Sequence, residues 1–182
     1  MAVIASRWSE DGSLNGSGIA TTVMSNLGLE LFLNQRGITM ERTQVGDRYV
    51  VECMRKSGFN LGGEQSGHII LSDFSTTGDG LIAGLQFLAE IIRSERSSKE
   101  LARVFEPVPQ LLKNASYQVG SDPLAKPNVI KAIKEAEAKL KNNGRLLIRK
   151  SGTEPLIRVM AESEDEEKMN VAVDSVVTEI TA

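Results

Sequence analysis

The amino-acid sequence predicts two joined folds. Residues 1–106 read as an α/β domain, a mixed sheet layered with helices. Residues 107–182 read as a small α+β domain, an antiparallel sheet with two helices on one face. Three observations predict this. Short β-branched runs alternate with helical periodicities through the first hundred residues, the pattern of a layered sheet. The stretch "RVFEPVPQLLKN" then breaks the pattern, because Pro107 and Pro109 interrupt a helix and bias the preceding residues toward extended backbone. Beyond it the order becomes strand, helix, strand, strand, helix.

Each element has its own signal. The opening "MAVIASRW" reads as a helix with no strand before it, so the domain is expected to lack its first strand. "GIATTVMS" is short and β-branched, hence a strand; "NLGLELFLNQRG" is a helix closed by Gly37; "ITMERTQ" is a second strand. "DRYVVECMRKSG" is a helix with Asp47 near its start and Gly58 at its stop. "FNLGG" and "HIILSD" are strand-like runs around a polar loop. "GDGLIAGLQFLAEIIRSER" puts Leu81, Leu85, Leu88 and Ile92 at helical spacing, with Asp79 in its first turn. In the second domain "QLLKNASYQV" is a strand, and Val129, Ile133, Ala136 and Leu140 form one face of an amphipathic helix. "RLLIRK" and "LIRVMAE" are strands, and Met169, Val173, Val176 and Ile180 stripe the closing helix. Ser163 and Glu166 have the spacing of a capping box at its start.

Bulk properties narrow the function. The chain has 182 residues, 41% hydrophobic and 25% charged, an ordinary globular balance. A formal net charge of -3 gives no global basic field to recruit nucleic acid. No apolar run is long enough to span a bilayer, and no basic start precedes one, so a cytoplasmic protein is expected. The single cysteine, Cys53, cannot form an intramolecular disulfide, and it falls beside Val50 and Met54 on a predicted helix, as an inert thiol would. The single histidine, His68, rules out a multi-histidine metal site. Asp79 has no partner carboxylate nearby in sequence, so a magnesium site there is not expected.

Two loops carry the chemistry. In "LGGEQSGHIILSD", Glu64, Gln65, Ser66 and His68 stand among Gly62, Gly63 and Gly67. Such a density of donors and acceptors suits a ligand with several hydroxyls, and glycines let backbone come close to it. A plain glycine-rich loop with a surface histidine is the equal alternative. In "RKSGTEPLIR", Arg149 and Arg158 bracket Ser151, Gly152 and Thr153. Successive N–H groups in such a turn can form an anion-binding nest, and arginine forks match phosphate oxygens. Residue types alone lean toward an ordinary turn, with the arginines solvated or paired to Glu154 and Glu162.

Taken together, "GGEQSGHI", "TTGDG" and "RKSGTEPLIRVM" resemble the C-terminal part of the α-D-phosphohexomutase superfamily. "VMSNLGLE" and "VGDRYV" are similar to its phosphoglucosamine mutase branch rather than to the phosphoglucomutase or phosphomannomutase branches. The resemblance covers essentially the whole chain. It implies the third and fourth domains of a four-domain enzyme that interconverts glucosamine 6-phosphate and glucosamine 1-phosphate on the way to cell-wall precursors. By resemblance, Gly63, Glu64, Gln65, Ser66, Gly67 and His68 form the sugar-binding loop, with Glu64 and Ser66 on sugar hydroxyls. Arg149, Ser151, Gly152 and Thr153 match the phosphate loop, and Arg158 follows on the exit strand. The family's catalytic serine loop and its magnesium-holding D-x-D-x-D loop have no counterpart in these residues. The resemblance therefore implies a fragment that binds but does not turn over alone, with Mg2+ held outside this chain. Its expected partners are a phosphosugar and the upstream domains of the enzyme, with no nucleic acid, no membrane and a monomeric state. A stand-alone phosphosugar-binding or interaction module is one alternative, and the substrate class of a phosphoglucomutase or phosphomannomutase is another.

Overall fold

The computed structural model describes residues 1–141, 144–152 and 154–182. It divides the chain into two compact units, Met1–Pro107 and Val108–Ala182. The first is an α/β unit and the second an antiparallel sheet with helices, as the sequence predicts.

In the first unit, helix α1 (Ala2–Glu10) precedes strand β1 (Gly18–Thr22), α2 (Leu27–Asn34), β2 (Thr39–Thr43) and α3 (Asp47–Ser57). Strands β3 (Leu61–Gly63) and β4 (Ile69–Leu71) follow, then α4 (Gly80–Ser94) and the short α5 (Ser98–Leu101). The sheet order is β2-β1-β3-β4, parallel except for the last pair. All five residues of β1 are buried, as expected of a strand covered on both faces. One core gathers Ile4, Trp8, Ile19, Leu29, Leu33, Ile38 and Leu61 from α1, α2 and the sheet. A second gathers Ala20, Val50, Met54, Phe59 and Ile70, so α3 packs on the other side of β1. Side chains of successive strand residues point to opposite faces, which is why Ile19 and Ala20 enter different cores.

Three details depart from the sequence reading. Leu81, Leu85, Leu88 and Ile92 do share one face of α4, but that face is turned to solvent. The helix instead packs through Ala83, which is buried, and Ile82. Asp79 is the N-cap of α4 and not a residue of its first turn; its carboxylate accepts from Ile82 N–H at 3.0 Å. The capping box at Ser97, where Glu100 answers the serine, starts α5, an element the periodicity was too short to reveal.

In the second unit, β5 (Gln110–Ser116) is followed by α6 (Pro127–Leu140), β6 (Gly144–Lys150), β7 (Leu156–Ser163) and α7 (Glu166–Thr181). β7 is central, antiparallel to both β5 and β6. Ala115, Ile157, Val159 and Ala161 turn toward Val129, Ala136, Leu140, Met169, Val173, Val176 and Ile180 of the two helices. The strand period of two therefore puts Asn114, Arg158 and Arg149 on the opposite sheet face, in one row across β5, β7 and β6. The closing helix is not capped by Ser163, which remains the last residue of β7 and donates its N–H to Pro109 O. Asp165 caps it, accepting from Lys168 N–H at 3.0 Å.

Candidate functional site

The first loop is held from behind. Thr21 on β1 donates its hydroxyl to Gly63 O at 3.0 Å and also contacts the Ser25 hydroxyl. A Cβ on Gly63 would come within 2.6 Å of His68 O, so only glycine lets the two arms of this hairpin close. Glu64 N–H donates to His68 O, and Gly67 N–H to Glu64 O, with Gly67 at φ +104.

Glu64 is turned inward, its side chain 10% exposed. One carboxylate oxygen, Oε1, accepts from Gly46 N–H at 2.9 Å. Its other oxygen lies 3.4 Å from His68 Nδ1, which is 3.3 Å from Ser66 Oγ. Gly46 stands at the end of the β2–α3 connection, so two segments distant in sequence meet on one carboxylate. Thr22, Met24, Val45, Gly46, Glu64, Gln65, Ser66 and His68 border an open cleft of about 530 Å³. Ser66 and Gln65 are exposed at its mouth. The structure thus brings Glu64, Gln65, Ser66 and His68 to one concavity, with Gly63 and Gly67 shaping its backbone. Met24 and Val45 also line it; sequence spacing alone does not connect their motifs "VMSN" and "VGDRYV" to this loop. Arg48, near them in sequence, is exposed and pairs with Glu52 at 3.0 Å.

The second loop joins β6 to β7. Arg149 and Arg158 are direct cross-strand partners. Among the described residues neither has an ion pair: Glu162 takes Arg145, at 2.5 Å, and Lys150 takes Asp122. Burial first, and the charge of Arg158 second, pull the Arg149 guanidinium below the ordinary arginine value. Like charges set directly opposite in a sheet repel, and here no described carboxylate relieves them. Ser151 is half-buried and Gly152 exposed, both beside this pair. The nest expected of successive N–H groups is shortened, because Ser151 N–H closes the turn by donating to Leu156 O at 2.7 Å. Thr153 lies outside the described residues.

Among the described residues no three or more His, Cys, Asp or Glu side chains gather as a metal would need. The described residues therefore do not fit a magnesium site. Among the described residues no helix is long and apolar enough to cross a membrane.

A layered α/β unit with a polar hairpin loop is followed by a small antiparallel sheet in which two arginines stand side by side. Residues 1–108 match the family described as phosphoglucomutase/phosphomannomutase, alpha/beta/alpha domain III. Residues 92–179 match its C-terminal domain. The chain belongs to the phosphoglucomutase/phosphomannomutase family. It is 65% identical over all 182 residues to a phosphoglucosamine mutase of Ruegeria sp. (strain TM1040), covering 41% of that protein. It is 61% identical over 180 residues to one of Paracoccus denitrificans, covering 40% of it. The chain thus spans about two fifths of the length of these curated relatives. Among solved structures, an Aspergillus fumigatus N-acetylphosphoglucosamine mutase in complex with GlcNAc-6P and magnesium superposes with a TM-score of 0.76 at 17% identity. The match covers 100% of this chain and 46% of that one, and it speaks to the fold alone.

Proposed function

We propose that this chain is the sugar- and phosphate-gripping part of a phosphoglucosamine mutase, an isomerase acting on glucosamine 6-phosphate and glucosamine 1-phosphate. Residues 1–106 hold the sugar and residues 107–182 the phosphate that does not react. Glu64 accepts from sugar hydroxyls and Ser66 completes their hydrogen bonds, with Gln65 and His68 at the rim. Arg149 and Arg158 neutralise the phosphate, and Ser151, Gly152 and Thr153 add donors. The observation that carries this reading is the Arg149–Arg158 pair, two cations held together with no described carboxylate to balance them. A dianionic phosphate supplies that balance. The choice of glucosamine phosphate follows the names of relatives at 65% and 61% identity.

In this role the chain contributes by position. Contacts to the sugar and to the non-reacting phosphate lie away from the reacting centre, and such binding lowers the barrier. No residue here has a covalent role: neither a T-A-S-H-N-P-like serine loop nor a D-x-D-x-D triplet occurs in the 182 residues. The Mg2+ and the phosphoserine of the complete reaction belong to other parts of the enzyme, which works in the cytoplasm.

Calorimetric titration with glucosamine 6-phosphate tests the reading. Binding is expected for the wild-type chain and at least tenfold weaker binding for Arg149→Ala, with no turnover by the chain alone in Mg2+ and a sugar bisphosphate. Equal affinities, or robust turnover, would overturn it.

A further inference from the structure

Helix α4 is turned inside out. Its solvent face is made of Leu81, Leu85, Leu88 and Ile92, which are 75, 55, 54 and 79% exposed. Gly84 and Ala89 lie exposed between them and add no charge. The acidic residue of the helix, Glu90, faces inward: its side chain is 13% exposed, hydrogen-bonded to Arg93 and 3.7 Å from Arg7 of α1. Helix α7 shows the ordinary arrangement, burying Met169, Ala172, Val173, Val176 and Ile180. Residues at i, i+4, i+7 and i+11 form one continuous stripe. The stripe presents on the order of 400 Å² of apolar surface, the size of the largest patch on a typical monomer, which is often functional.

The geometry points to a docking surface for the polypeptide that, in the relatives, makes up the length this chain does not represent. Two facts choose that occupant. The relative 65% identical to the chain is covered for only 41% of its length, so 59% of it (100 − 41) has no counterpart here. The chain matches a domain numbered III and the C-terminal domain of its family, so a counterpart of α4 in those relatives is tethered to further domains of the same enzyme. A tether raises the local concentration of a partner surface, so that a modest apolar stripe suffices to hold it. A second copy of this chain fits less well. A stable dimer needs about 800 Å² from each partner, roughly twice what the stripe offers. The small residues Gly84 and Ala89 would let an apposed helix or sheet approach closely, and the lack of charge selects an equally apolar partner face. This inference rests on family membership and the exposure of α4, not on the sugar and phosphate roles; a chain that failed to bind phosphosugar would leave it standing.

Thiol labelling tests it. Leu88→Cys is introduced together with Cys53→Ala, both in the 182-residue chain and in a fusion that restores the unmatched portion of the Ruegeria sp. (strain TM1040) enzyme. A maleimide should label Cys-bearing 182-residue chain rapidly and the fusion at least tenfold more slowly. Should the fusion not fold, a cysteine at the aligned position of the intact Ruegeria enzyme gives the same readout. Equal labelling rates would overturn the proposal. Protection already present in the 182-residue chain, and rising with its concentration, would overturn it in favour of a second copy.

Discussion

Arg149 of β6 and Arg158 of β7 stand directly opposite one another in the second sheet, and no described carboxylate neutralises either. Protein sheets place opposite charges, not like charges, at such positions unless something else supplies the counter-charge. An anion seated on the pair would supply that counter-charge.

That relation separates binding from stability. Arg149→Ala removes one of the two repelling charges, so the ligand-free melting temperature should hold or rise slightly, while affinity for inorganic phosphate falls about tenfold or more. Calorimetric melting with and without phosphate measures both. A variant that loses stability and keeps its phosphate affinity would show that Arg149 is a structural residue.

The Glu64 carboxylate serves two masters, the Gly46 N–H and the open cleft. Glu64→Gln keeps an oxygen for Gly46 but loses the charge, so it should fold with a melting temperature near wild type and bind glucosamine 6-phosphate less tightly. Glu64→Ala removes both and leaves the Gly46 donor unmet, at a cost of about 1–3 kcal/mol in stability. Chemical denaturation ranks the two; equal stability of both variants would count against the Gly46 contact.

Glu162 is fully buried on β7 and bonded to Arg145, itself mostly shielded. Arg145→Ala takes the guanidinium from a buried carboxylate and should destabilise the second unit by roughly 3–5 kcal/mol. Arg145→Lys should recover part of this, because a lysine restores charge but not the planar fork. Urea unfolding is the measurement.

Burial, followed by the hydrogen bond and charge of Glu41, pushes the Cys53 thiol up from 9.0 to about 11. The folded state thus favours the protonated thiol. Its contribution to stability is complete below pH 9 and is lost as pH climbs from 9 through 11. Cys53 should react slowly with an aromatic disulfide reagent at pH 8, and Glu41→Gln should speed it by lowering the thiol's pKa. Fast labelling of the wild type at pH 8 would contradict this.

Much of the fold was legible because hydrophobic period and turn chemistry agree locally. Met169, Val173, Val176 and Ile180 recur at helical spacing and are buried together. Asp47 and Gly58 bound α3 at the predicted ends. The same signal misdirects at α4, since periodicity reveals an apolar face but not which way it points. Local spacing likewise suggested Ser163 as a cap, while strand pairing kept Ser163 in β7 and left the role to Asp165. In the candidate site, the loop residues 63–68 and the arginine pair were readable as residue types. The contact between Glu64 and Gly46 was not, because it joins positions 18 apart through sheet topology. Nor was the loss of the Ser151 N–H to Leu156, which depends on how tightly the turn closes.

The Gly46 contact also gives the cleft its own reporter. An amide proton held by a carboxylate resonates far downfield of an ordinary backbone proton, and glycine amides occupy a distinct region of a nitrogen–proton correlation spectrum. When a hydroxyl ligand draws on Glu64, the Gly46 signal should move with it. Occupancy of the cleft can then be followed from one natural backbone resonance, with no label in the cleft and no turnover.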